Sequence, residues 1–244
     1  MINDKPTIQQ TLNHFLDDQQ KRLKEKTFEK YKSVIELYES YLDNYAYLVL
    51  DNEEHAYFEE QFNKHNRMFC ELFGPDKILD GYFEFFGYFL PKKVLAGEDF
   101  FRNCGTVLKK LAKWLEEKEY AVNEDTVEAI ETSSKGGKDV ADANKIGSAL
   151  FDYAEKFPLD KKHNAGDDDI IESFFVIHKV EDNVLYLQDD EDPDEEMYTI
   201  QIPERLAGML KKATDWRVWM ELIRTKTKGK EKWNIAVVGS VYPM

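Results

Sequence analysis

The chain reads as an α+β protein, an N-terminal helical bundle followed by a small five-stranded, β-barrel-like domain, on three observations. Apolar residues recur at helical spacing from Ile8 to about Phe157, then at a period of two from Ile170 onward. Between them lies PLDKKHNAGDDD, which has turn residues and no core-formers. A length of 244 residues suits two domains of common size. The division expected is a helical domain over 1–157 and a barrel over 169–244, meeting between residues 156 and 170.

The first helix is marked by Ile8, Leu12, Phe15, Leu16 and Leu23, with Gln, Asp, Lys and Arg between them. After KRLKEK, Thr27 is placed to cap a second helix, because its hydroxyl can accept a free backbone N–H. On that helix Tyr31, Val34, Ile35, Tyr38, Tyr41, Leu42 and Tyr45 fall on one stripe, the strongest periodic signal in the chain. A third helix is expected from about Glu53 to Leu72, with Phe58, Phe62, Met68 and Phe69 inward and Gly74-Pro75 as its stop. ILDGYFEFFGYFLP is dense enough in aromatics to predict a short helix covered on both faces. Phe100, Phe101, Cys104, Val107, Leu108, Leu111, Trp114 and Leu115 mark the next amphipathic helix.

TSSKGGKDVADAN, residues 132–144, has the Ser, Gly and Lys bias of a flexible link. A further helix is expected from about Val140 to Phe157. Beyond it IIESFFVIHKV, NVLYLQD and MYTIQI read as strands, PERLAGMLKKA as a short helix opened by Pro203, and WRVWMELIRT and KWNIAVVGSV as two more strands. On the fourth strand Val218, Met220 and Leu222 are expected inward. Trp219, Glu221 and Ile223 then point outward, since a carboxylate is costly to bury.

Composition narrows the function classes. Aromatics at 14% and hydrophobic residues at 42% support packed cores. Cys70 and Cys104 form no Cys-x-x-Cys pair, which predicts buried free thiols and neither a disulfide framework nor a zinc site. The opening MINDKPTIQQ has no apolar stretch behind a basic start, and no run is long enough to span a bilayer, so a cytoplasmic chain without a membrane partner is expected. A net charge of −15 opposes non-specific adhesion to nucleic acid. The charge is uneven, however. Residues 151–200 carry 4 Lys/Arg against 16 Asp/Glu, whereas 201–244 carry 9 against 4.

Two basic groupings follow from that unevenness. Arg224, Lys226, Lys228, Lys230 and Lys232 alternate through the last hairpin, with Trp219 and Trp233 nearby; indoles beside a basic groove are what base stacking requires. In the helical half, Lys24, Lys26 and Lys30 sit at the first helix junction, and Arg102, Lys109 and Lys113 repeat along one helix face. The competing reading makes the hairpin a lysine-guarded edge with its tryptophans in the core, and the helix stripes ordinary solvated faces containing Glu25, Glu29, Glu116 and Glu117. DDEDPDEE, residues 189–196, lacks the Gly and spaced Glu of a calcium loop and reads as a charged hairpin loop. His14, His55, His65, His163 and His178 show no ligand spacing. Ser133 and Ser134 have no glycine elbow, and Gly136-Gly137 has no phosphate-loop partner. No catalytic residue, metal site or cofactor is expected.

TLNHFLDDQQKRLKEKTFEKYKSVIELYESYL and FFRNCGTVLKKLAKWLEEKEYAVNED give the region 8–125 a pattern that resembles the helical core-binding domain of the tyrosine recombinase (phage integrase) family. That resemblance implies a DNA-clamping helical domain. The family's catalytic set of Tyr, Arg and His-x-x-Arg is absent here, so recombination is not implied. The second half is similar in element order to an oligonucleotide/oligosaccharide-binding (OB) barrel. The leading expectation is a non-enzymatic nucleic-acid-associated protein that uses Arg224, Lys226, Lys228, Lys230 and Trp219, with Lys26, Lys30, Lys109 and Lys113 as a second contact. Its rival is a protein–protein interaction or assembly module; a hydrolase comes last.

Overall fold

In the computed structural model the residues described are 6–158, 166, 169–192, 197–227 and 230–243. The chain is α+β: among the described residues eight α-helices precede a five-stranded antiparallel sheet that carries one further helix in its long connection. Backbone packing divides it into two compact units, Met1–Lys138 and Asp139–Met244. The change from helix to strand falls between Ala154 and Ile170, where the periodicity places it.

The first unit is built on α1 (Ile8–Arg22), α2 (Glu25–Tyr45) and α7 (Glu98–Glu117), with α2 packing against both others. Thr7 caps α1 in a reciprocal capping box with Gln10. The second helix begins at Glu25, two residues before the expected cap, and Thr27 lies inside its first turn, its N–H on Lys24 O at 2.8 Å. The single helix expected over 53–72 is broken. Asn66 adopts a left-handed conformation (φ 54°) and ends α3 (Asn52–His65), so Phe69 and Cys70 enter the core from a separate turn, α4 (Phe69–Leu72), while Phe62 stays exposed. The aromatic stretch forms α5 (Tyr82–Glu84), a π-helical turn over Phe85–Phe89, and α6 (Leu90–Lys93).

Tyr38 is the centre of this core. Its ring lies 4.9 Å from Phe85 and 5.3 Å from Tyr82, both edge to face, and its hydroxyl donates to Ile78 O. Gly81 makes room for it: a Cβ there would meet Tyr38 Oη at 2.8 Å and Tyr41 Cε1 at 2.9 Å.

Residues 132–144, expected as a flexible link, lie within one continuous helix, α8 (Asn123–Ala154). Its glycines serve close packing. A Cβ on Gly137 would stand 2.7 Å from Gly105 Cα and 2.9 Å from Phe101 O, and one on Gly136 would strike the Phe86 ring at 2.5 Å. Compositional bias and close helix approach use the same residue type, which is why composition misleads here.

The second unit comprises the rest of α8, β1 (Ile170–Glu181), β2 (Val184–Asp189), β3 (Tyr198–Gln201), α9 (Glu204–Leu210), β4 (Arg217–Thr227) and β5 (Lys230–Tyr242). The sheet order is β3-β2-β1-β4-β5, antiparallel throughout. It is not a closed barrel. The edge strands approach, with Tyr198 and Trp233 rings 5.2 Å apart, yet no ladder joins β3 to β5 among the described residues. One face packs Phe175, Ile177, Leu187, Val218, Met220 and Leu222 against α9 and against Ile146 and Leu150 of α8. The strand parity of β4 is as expected, with Val218, Met220 and Leu222 inward. The reason behind that expectation fails, because Glu221 on the opposite face is only 7% exposed, across the ladder from Glu172.

Candidate functional site: an aromatic cavity beside an acidic cleft

Two of the sequence-predicted hairpin cations, Arg224 and Lys226, are engaged with acids. Arg224 Nε donates to Asp169 Oδ1 at 2.9 Å, its guanidinium lies 5.6 Å from the Trp233 ring centre, and Glu231 pairs with both Arg224 (3.8 Å) and Lys226 (3.4 Å). Lys228 and the Lys230 side chain lie outside the described residues. Trp219 leaves β4 on the face opposite to Arg224 and Lys226, since their positions differ by odd numbers. It sits half-buried across from Phe174 and against Gly239. The indole expected to stack bases above the lysines is therefore on the other side of the sheet, and Trp233 is the one that accompanies Arg224.

Lys26, Lys30 and Lys113 are exposed, and belong with Lys109 to the first unit, whereas the hairpin belongs to the second. Lys109 lines a cleft of about 310 Å³ with Arg102 and Thr106 of α7 and Ser134 and Lys138 of α8, a lining that contains no carboxylate. The hydroxyls there are committed to backbone carbonyls, Thr106 to Arg102 O and Ser134 to Ile130 O. Among the described residues no group of three or more His, Cys, Asp or Glu has the geometry of a metal site. Of the acidic run, Asp189 is buried and accepts from Ser173 Oγ at 2.7 Å; residues 193–196 lie outside the described residues, as does His163. Both cysteines are buried; burial raises the Cys70 thiol far above its usual range and pushes Cys104 to about 12.

The concavity that sequence reasoning missed lies at the end of α2. Tyr41 and Tyr45, one turn apart, stack at 5.9 Å and lean on Phe89 at 5.2 and 5.3 Å. After Tyr45 the chain tightens into a 3₁₀ turn over Ala46–Val49, and Asp51 then caps α3 by accepting from Glu53 N and Glu54 N at 2.9 Å. That short connection holds Leu48 and Val49 out of the core, 65% and 68% exposed. The lining also includes Glu84, the last residue of α5, and Tyr88 of the π-helical turn, the latter 42% exposed. The cavity measures about 280 Å³, and Phe69 and Gly81 are also in its lining.

Its charged lining residues are Lys77 and the acidic Asp80 and Glu84. Lys77 is neutralised by Glu54 at 2.9 Å. Burial, followed by Glu84, raises the Tyr41 phenol well above its usual range, so that hydroxyl stays protonated. Asp80 is also raised, by burial and by Asp125, Asp76 and Glu54, against the opposing pull of Lys77. Asp80 is shared with a second cleft of about 150 Å³ that also contains Phe83, Asp125 and Glu128. Phe83, 74% exposed, contradicts the expectation that the aromatic stretch is covered on both faces: on this stretch Tyr82, Phe85, Phe86 and Phe89 point inward, and Phe83 and Tyr88 do not.

No helix is long and apolar enough to cross a membrane among the described residues. Compared with known proteins, the chain matches no family model, no curated protein and no solved structure.

Proposed function

We propose that the chain is a non-enzymatic protein-interaction module whose first unit holds a segment of another polypeptide in the aromatic cavity at the end of α2. The observation that carries this reading is the clustering of Leu48, Val49 and Tyr88, all exposed, around one apolar concavity. Contiguous exposed apolar surface is costly to maintain in water, and a pocket that accepts an apolar side chain is where such surface is used. The ion pairing of Arg224 and Lys226 and the placement of Trp219 on the opposite strand face support the same reading. The likeness of the helical half to recombinase core-binding domains is then one of helix spacing, and that of the second half to an OB-type barrel one of element order.

The test is selection of random dodecapeptides on the full-length chain. Enriched peptides are remeasured on the wild type and on a Leu48→Asp/Val49→Asp variant, whose positions are solvent-exposed and leave the melting temperature unchanged. Affinity at least tenfold weaker in the variant is expected. Peptides that bind both proteins equally would place the contact elsewhere.

Nucleic-acid association stays as a second reading because Lys109, Lys138 and Arg102 surround a cleft with no carboxylate in its lining. It requires that labelled oligonucleotides bind at low salt, with affinity falling by decades between about 50 and 200 mM as counterions are released. It also requires that binding weaken on replacing Lys109, Lys113, Arg224 and Lys226 by Ser.

A further inference from the structure

We infer that the segment held by the first unit is cationic: an apolar side chain fills the aromatic cavity while a neighbouring Lys or Arg of the same peptide lies against Asp80 and the acidic cleft beyond it. This rests on the polypeptide-binding reading above and specifies the partner's chemistry.

Three observations carry it. The two concavities share a wall, since Asp80 lines both the aromatic cavity and the cleft containing Asp125 and Glu128. A peptide that places one side chain in the first therefore brings its neighbours to the second. Next, the charged groups around the two concavities are predominantly acidic. Of the ionisable groups around the two concavities, Asp80, Glu84, Asp125 and Glu128 are carboxylates, and the single cation, Lys77, already forms a 2.9 Å pair with Glu54. An incoming carboxylate would meet this acidic excess, whereas an incoming guanidinium or ammonium would be drawn to it. Finally, the aromatic surfaces suit a cation with an apolar stem. Tyr41, Tyr45 and Tyr88 line the cavity, Phe83 stands exposed in the acidic cleft, and Lys and Arg stems lie along aromatic rings with the charged head on a carboxylate. The whole chain's net charge of −15 adds a long-range attraction for the same class of ligand.

The alternatives differ in what they need. A neutral apolar segment would use the cavity and bring no charge to Asp80, Asp125 or Glu128. An acidic or phosphorylated segment would be repelled at both concavities.

The experiment uses three capped, fluorescently labelled dodecapeptides that share a central Phe-Leu anchor. One is flanked by Lys and Arg, one by Ser and one by Glu. Each is titrated by anisotropy against the full-length chain and against Asp80→Asn, Glu84→Gln and Asp125→Asn/Glu128→Gln variants, whose side chains are exposed. The expected result is saturable binding of the basic peptide only, roughly tenfold weaker in the Asp80→Asn variant and weakened again between about 50 and 300 mM salt, as screening of exposed charges requires. Equal binding of the basic, neutral and acidic peptides overturns the cationic preference and leaves the polypeptide-binding reading intact. Binding of none of them at about 1 mM, together with no Leu48- and Val49-dependent peptides in the selection, removes both.

Discussion

At Gly137 the backbone of α8 runs so close to α7 that a single added methyl group meets Gly105 Cα at 2.7 Å and Phe101 O at 2.9 Å, and neither obstacle is a side chain that can swing away. Gly137→Ala is therefore expected to cost about 1–3 kcal/mol through overpacking, despite the better helix propensity of Ala. At Gly208, inside α9, nothing lies within 4 Å of the added Cβ. There only the propensity term acts, and Gly208→Ala should stabilise the chain by about 0.5–1 kcal/mol. Urea denaturation of the two variants should give shifts of opposite sign. A second residue-scale effect concerns acid stability. Asp18 is held at about 2, first by its hydrogen bond from Lys21, then by the Trp114 indole at 3.2 Å and by Lys118. A carboxyl depressed in the fold stabilises it fully above the unfolded value near 4, and that contribution disappears as pH falls toward about 2. Asp18→Asn should flatten the stability slope between about pH 4 and 2 and lower stability at neutral pH, measured by urea unfolding at stepped pH.

At the scale of elements, α8 makes the clearest prediction. With residues 123–154 helical, and Ser133, Gly137, Val140 and Ala141 buried, trypsin should cut slowly after Lys135 and Lys138. Early cleavage there would favour the link that composition suggests. The contrast shows where a sequence is legible. The Tyr38 stripe on α2 and the strand parity of β4 follow from one repeating geometry, so both can be read directly. Gly136-Gly137 cannot, because the reasons for those glycines are Phe86 and Gly105, both more than thirty residues earlier. Asn66 escapes for a related reason: its left-handed turn depends on how α3 meets α4, and local spacing through Phe58, Phe62 and Phe69 continues smoothly across it. The candidate cavity was hidden in the same way. Its walls come from Tyr41 and Tyr45, from Leu48 and Val49, and from Glu84 and Tyr88, three segments whose convergence no single periodicity records. The signal available was the helical phase of GYFEFFGYF, in which Phe83 falls off the stripe that Tyr82, Phe85, Phe86 and Phe89 share.

For the whole molecule, charge sets the balance between the two functional readings. The acidic surplus repels polyanions at long range, and the basic hairpin that could offset it locally is partly neutralised by Asp169 and Glu231. Its replacement by neutral residues should leave stability within about 0.5 kcal/mol, since exposed ion pairs contribute little. The same surplus favours cationic ligands, and the first unit supplies an apolar cavity next to clustered carboxylates. The measurement that tests this most directly is methyl-resolved NMR of the full-length chain, with Leu and Val labelled, titrated with the Lys/Arg-flanked peptide. The account predicts that the resonances of Leu48, Val49 and Leu50, around the cavity, shift most, while Val218, Leu222 and Val241 of the sheet stay still. Shifts confined to the sheet, or no shifts at saturating peptide, would contradict it.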